Sequence, residues 1–66
     1  MRIGEQIKNY RKTAGLTQEQ VANYLGVSTP AVNKWEKGAS DPSTSNLLTL
    51  AKLFNTTAEE LLREVQ

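Results

Sequence analysis

Apolar residues along this chain recur at helical rather than alternating spacing. Ile3, Ile7, Tyr10 and Ala14 fall at i, i+4, i+7 and i+11, which predicts an amphipathic first helix. Gly15 supplies its stop, in a conformation where glycine avoids the Cβ penalty, and Leu16 folds back onto the core. Thr17-x-x-Gln20 fits a capping box, opening a second helix with Val21, Ala22 and Leu25 inward and Glu19, Gln20 and Asn23 outward. That helix stops at Gly26. Ser28 caps a third, and Pro30 falls in its first turn, where a missing N–H costs nothing. Val32, Trp35 and Glu36 share the inner face of this helix, with Thr29, Asn33, Lys34 and Lys37 outside and Gly38 at the end.

The loop GASDPS breaks the pattern before Ser43 or Thr44 caps a fourth helix carrying Leu47, Leu50, Ala51 and Phe54. Asn55-Thr56 turns the chain, and Thr57-x-x-Glu60 opens a last helix with Leu61, Leu62 and Val65 inward. The pattern predicts helices over about residues 2–13, 18–25, 29–36, 44–54 and 58–65, with no strand, repeat or low-complexity segment. The expected fold is an all-α, compact five-helix domain over residues 1–66.

The spacing inside Gln18–Lys37 is more specific than the rest. Two helices meeting at a steep angle need a small residue where their backbones approach, and Ala22 stands there. The turn needs a residue tolerant of positive φ, and Gly26 supplies it four positions later. Val32 drops back onto the preceding helix, and Val21, Leu25 and Trp35 complete the core. This is the pattern of a helix-turn-helix. A generic helical hairpin requires far less agreement among positions.

Composition narrows the chemistry. Sixty-six residues make one small domain. With no cysteine there is no disulfide or thiolate metal site, and with no histidine the usual general base at neutral pH is missing. Phosphate-binding glycine motifs are absent, and the acids scatter over predicted outer faces. The reading is therefore no enzyme, no metal and no cofactor. No apolar run approaches the roughly 20 residues of a membrane span, and no signal-peptide core opens the chain, so a cytoplasmic protein is expected.

The net charge of +1 is uninformative, but its distribution is not. Residues 1–37 carry Arg2, Lys8, Arg11, Lys12, Lys34 and Lys37 against Glu5, Glu19 and Glu36. Residues 38–66 carry Lys52 and Arg63 against Asp41, Glu59, Glu60 and Glu64. A basic first half and an acidic second half suit an anionic partner at the N-terminal end.

The run GLTQEQVANYLGVSTPAVNKWEKGASDPS resembles the phage repressor and Cro-like, XRE-type helix-turn-helix proteins. The likeness extends from IKNYRKTAGLTQ through WEKG, Pro42 and LLTLAKLF to the closing TTAEELL. The resemblance implies a lambda-repressor-like five-helix domain that binds double-stranded operator DNA, commonly as a homodimer, and regulates transcription, most often as a repressor. By that likeness Gln18 bonds a DNA phosphate together with nearby backbone amides. Thr17, Lys37, Ser40 and Ser43 are further phosphate candidates. Ser28, Thr29, Pro30, Asn33 and Lys34 match the stretch placed in the major groove. There Thr29 and Pro30 suit a thymine methyl, Asn33 suits adenine, and Lys34 suits guanine. Pro30 departs from the many relatives with a hydrogen-bonding residue at that place, leaving apolar or shape readout. Lys8 and Lys12 are as readily solvated cations.

Arg11 and Glu36 both sit at the edge of an inward stripe, and the resemblance implies an ion pair between them. Trp35, by its spacing from Val32, is expected in the core and not as an exposed stacking platform. One recognition helix covers only a few base pairs, so two copies on half-sites about 34 Å apart are expected. The dimer surface is expected on the last two helices, with exposed apolar residues near Leu62 and Val65 as its sign. The chain is also read as the DNA-binding piece of a longer regulator. The rival reading is a protein-interaction module that kept the fold without binding DNA.

Overall fold

The computed structural model of the chain describes residues 3–63, which form five α-helices and no strand. They are α1 (Ile3–Thr13), α2 (Gln18–Leu25), α3 (Thr29–Lys37), α4 (Thr44–Leu53) and α5 (Ala58–Leu62). No helix among the described residues is long and apolar enough to cross a membrane.

Each helix is short, so isolated stability would be marginal and the ends matter. The capping box of α2 forms in both directions, with Gln20 N–H donating to Thr17 Oγ1 and Thr17 N–H donating to Gln20 Oε1. Ser28, Ser43 and Thr57 cap α3, α4 and α5 by accepting from Ala31, Asn46 and Glu60 N–H. At its other end α2 closes in a Schellman arrangement. Val27 N–H reaches Ala22 O at 3.0 Å and Gly26 N–H reaches Asn23 O at 3.3 Å, with Gly26 at φ 73°. Asn55 does the same for α4 at φ 56°, a conformation asparagine tolerates better than most residues.

Helix α3 occupies the middle, packed on α1 on one side and on α2 on the other. Ile3, Ile7, Val21, Ala22, Val32, Trp35, Leu50, Ala51, Phe54 and Leu61 are buried together, and Leu16, Leu25 and Leu47 pack against them. Trp35 is only 5% exposed and is a core anchor, as its spacing predicted. The Tyr10 and Phe54 rings stack with centroids 5.8 Å apart, and Tyr10 Oη accepts from Thr56 Oγ1 at 3.3 Å. Gln6 Nε2 donates to the carbonyls of Glu60 and Arg63, tying α1 to the end of α5.

The structure corrects several expectations. Ala14 is exposed, because α1 ends at Thr13 and the chain turns before the next inward position. Leu62 is 38% exposed: in so short a helix Leu61 takes the core position and its neighbour points away. The Thr57-x-x-Glu60 box forms only its first half, since the Glu60 carboxylate lies by Arg63 Nη1 at 3.4 Å. Phe54 is the buried C-cap of α4 and not its last helical residue, while α3 runs one residue further, to Lys37. The last helix stops at Leu62, short of the expected 65, because Arg63 is already extended as its C-cap; Arg2 and Val65 lie outside the described residues.

Candidate nucleic-acid interface

Helix α3 turns its apolar side to the core and leaves a polar strip outward. Ser28, Pro30, Lys34 and Lys37 are exposed, while Thr29 and Asn33 are half-buried at its edge. The Ser28 hydroxyl accepts from Ala31 N–H at 3.3 Å, so it both starts the helix and remains able to donate outward. A helix with its side chains is about 10–12 Å across, which fits a DNA major groove about 12 Å wide.

Beside this strip lies the start of α2. Its capping box satisfies the amides of Thr17 and Gln20. The N–H groups of Gln18 and Glu19, in the first turn, have no helical carbonyl within reach. Together with the positive end of the helix dipole they form an anion-favouring corner. Glu19 is exposed there and opposes that preference.

Besides the shared core, a chain of polar contacts joins α2 and α3 to each other and to α1. Arg11 of α1 donates from Nε to Glu36 Oε2 at 2.6 Å, from Nη2 to Glu36 Oε1 at 3.1 Å, and from Nη1 to the Leu16 carbonyl at 2.9 Å. The expected ion pair is thus a two-pronged one, with the Arg11 and Glu36 side chains 13% and 4% exposed. The hydrogen bonds that Arg11 donates to Glu36 raise its pKa above the ordinary value, partly offset by burial, and the opposite charge adds to the rise. Glu36 Oε1 also accepts from Gln18 Nε2 at 3.1 Å, and Gln18 Oε1 accepts from Asn33 Nδ2 at 3.3 Å.

The sequence placed Asn33 simply on the outer face. The structure instead joins it to Gln18, 15 residues earlier, and so puts a phosphate candidate and a base candidate side by side. No local pattern announces that bond, because it depends on the angle between α2 and α3. Two further phosphate candidates lie in and after the loop between α3 and α4. Ser40 is exposed in the loop, and the Ser43 hydroxyl is engaged with Asn46 N–H and Ser45 Oγ as a helix cap.

Gly4 was also missed. A Cβ there would sit 2.8 Å from the Glu36 carbonyl oxygen and closer still to that of Trp35. The backbones of α1 and α3 therefore approach at Gly4. The readable signal was an isolated glycine inside a helical stripe.

Comparison with known proteins agrees with this geometry. The transcriptional activator BcrR of Enterococcus faecalis is 40% identical over 62 residues, covering 94% of this chain and 30% of that protein. The regulator ImmR of Bacillus subtilis is 34% identical over 62 residues, covering 94% of this chain and 49% of its own. This chain therefore spans less than half the length of either relative. A crystal structure of the P22 c2 repressor in complex with synthetic operator 9T in the presence of Tl+ matches with a TM-score of 0.89. Its identity is 32% and the match covers 96% of each chain. Residues 7–61 match the family model described as helix-turn-helix, and the chain belongs to that family, in its phage-repressor and Cro-like branch.

Proposed function

We propose that residues 1–66 form a single DNA-binding domain that recognises double-stranded operator DNA and regulates transcription, as a repressor. The observation that carries this reading is the pairing of two surfaces on one rigid unit. The exposed strip of α3 runs beside the anion-favouring start of α2, and the Arg11, Glu36, Gln18 and Asn33 contacts lock the two together. Helix α3 lies in the major groove, with Ser28, Thr29, Pro30, Asn33 and Lys34 facing base edges. Thr17, Gln18, Lys37, Ser40 and Ser43 face phosphates. The similar P22 c2 repressor, crystallised with a synthetic operator, supports the same reading.

The domain acts as a homodimer in the cytoplasm, within a longer regulator. Leu48 and Leu62, on α4 and α5, are 51% and 38% exposed and suit a partner surface. Its work is binding and needs no cofactor or metal.

Selection of binding sites from random DNA, followed by titration of salt, tests this. The expected result is an operator with two related half-sites about one helical turn apart. Affinity should fall with salt at a slope of about −0.9 per phosphate contacted. No enriched sequence and a flat salt response would instead favour a protein-interaction module.

A further inference from the structure

The contacts that tie Arg11, Glu36, Gln18 and Asn33 run in one direction only. A carboxylate accepts hydrogen bonds and donates none. The end of the Gln18 amide that meets Glu36 Oε1 must therefore be its nitrogen, and Nε2 lies there at 3.1 Å. That turns Gln18 Oε1 toward Asn33. An amide oxygen accepts only from a donor, so the Asn33 amide must present nitrogen in turn, and Nδ2 does so at 3.3 Å. The carboxylate at the root is itself fixed. Both its oxygens are held by Arg11, whose Nη1 is anchored on the Leu16 carbonyl.

The consequence falls on the outermost member. One N–H of Asn33 is engaged, leaving its other N–H and its Oδ1 for a ligand. One donor beside one acceptor complements adenine, which offers N7 as acceptor and N6–H as donor in the major groove. The opposite amide orientation would turn two N–H donors outward and would suit guanine, which offers two acceptors, O6 and N7.

We propose that Glu36, acting through Gln18, sets the amide polarity of Asn33 and so makes it prefer adenine over guanine at its base pair. This rests on the DNA-binding reading above. Glu36 and Gln18 are then positioning residues for Asn33, in addition to Glu36 holding α1 to α3. Gln18 Nε2 has a second N–H besides the one given to Glu36, available to donate to a phosphate.

The test measures the binding of the whole chain to its selected operator and to variants with each base pair changed in turn. Asn33→Ala first identifies the base pair that Asn33 reads, as the position whose preference disappears. In the unaltered protein that position should favour adenine over guanine by about 5- to 150-fold, the range of a good two-point contact. Glu36→Gln keeps the volume but replaces an acceptor-only group with an amide. The new amide oxygen stays on Arg11 Nε, the shorter contact, while the NH2 takes the place of Oε1, gives up Arg11 Nη2 and donates to Gln18 Oε1. The relay then reverses and the preference moves toward guanine at that position alone.

Gln18→Ala leaves the ion pair intact, so it carries the test if Glu36→Gln fails to fold. It should reduce the adenine preference at the Asn33 position to within about threefold, beyond any uniform loss from a missing phosphate contact. An equal loss across all sequences in Gln18→Ala, or an unchanged adenine preference in Glu36→Gln, overturns the relay while leaving DNA recognition standing. So does an Asn33→Ala variant that alters no position. An unaltered protein that selects no sequence at all overturns the DNA-binding reading itself, and the relay with it.

Discussion

Arg11 grips Glu36 along the side of its guanidinium, Nε to Oε2 at 2.6 Å and Nη2 to Oε1 at 3.1 Å, and thereby joins the first helix to the third. Removing one member of such a buried pair leaves the other charge desolvated, which typically costs about 3–5 kcal/mol. A domain of this size has about 3–10 kcal/mol of stability in total. Glu36→Ala should therefore lower the melting temperature steeply, whereas Glu59→Ala, at an exposed position, should stay within about 0.5 kcal/mol of the unaltered protein. Thermal melts followed by circular dichroism decide this; equal melting temperatures for the two would rule the pair out as a support. Because the Arg11 pKa is raised in the fold, its contribution is complete below the ordinary arginine pKa and is lost only above it. Raising the pH from 7 to about 9 should leave the contribution of this pair unchanged.

Trp35 fills the space between the helices and is nearly inaccessible. Trp35→Ala should cost about 3–5 kcal/mol, as large core truncations do, and leave much of the protein unfolded. Trp35→Phe keeps most of the volume and should fold with a lower midpoint. Urea denaturation of both, read by circular dichroism since the fluorophore is lost, gives the comparison. A fully folded Trp35→Ala protein with an unchanged midpoint would contradict a core role.

Glycine inside a helix is ordinarily a weakness, and replacing it by alanine gains about 0.5–1 kcal/mol. At Gly4 the sign should reverse. The atoms a methyl would meet are main-chain carbonyl oxygens of α3, which cannot rotate away as a side chain tip would. Overpacking of this kind costs about 1–3 kcal/mol. A denaturation curve showing Gly4→Ala more stable than the unaltered protein would disprove the close approach of α1 and α3.

Lys34 and Lys37 are both exposed on α3 but have different roles in the proposed complex. Lys37→Ala should weaken binding about equally for every DNA sequence and reduce the salt slope by about 1. Lys34→Ala should relax discrimination at one base pair, by about 1–3 kcal/mol. Salt-dependent binding to the operator and to its single-base variants separates the two, and interchanged results would reverse the assignments.

Much of this protein was legible along the chain because the deciding interactions are short-range. Thr17 caps an amide three residues on, Gly26 turns the chain so that Val27 N–H meets the Ala22 carbonyl, and the inward stripes need only the helical period. Five helices, their caps and the helix-turn-helix followed from those signals, and the Arg11 and Glu36 pair followed from the family likeness. Tertiary structure decided what depends on where one helix crosses another. It set Gly4 under the carbonyls of α3, stacked Tyr10 on Phe54, turned Leu62 outward and tied Gln6 to the end of α5. It also bonded Gln18 to Asn33. Sequence alone determined which residues stand on the outer strip of α3. The crossing angles of α1 and α2 against it decided which of their hydrogen-bonding groups remain free, because a side-chain amide takes its orientation from whichever partner the fold brings within about 3 Å.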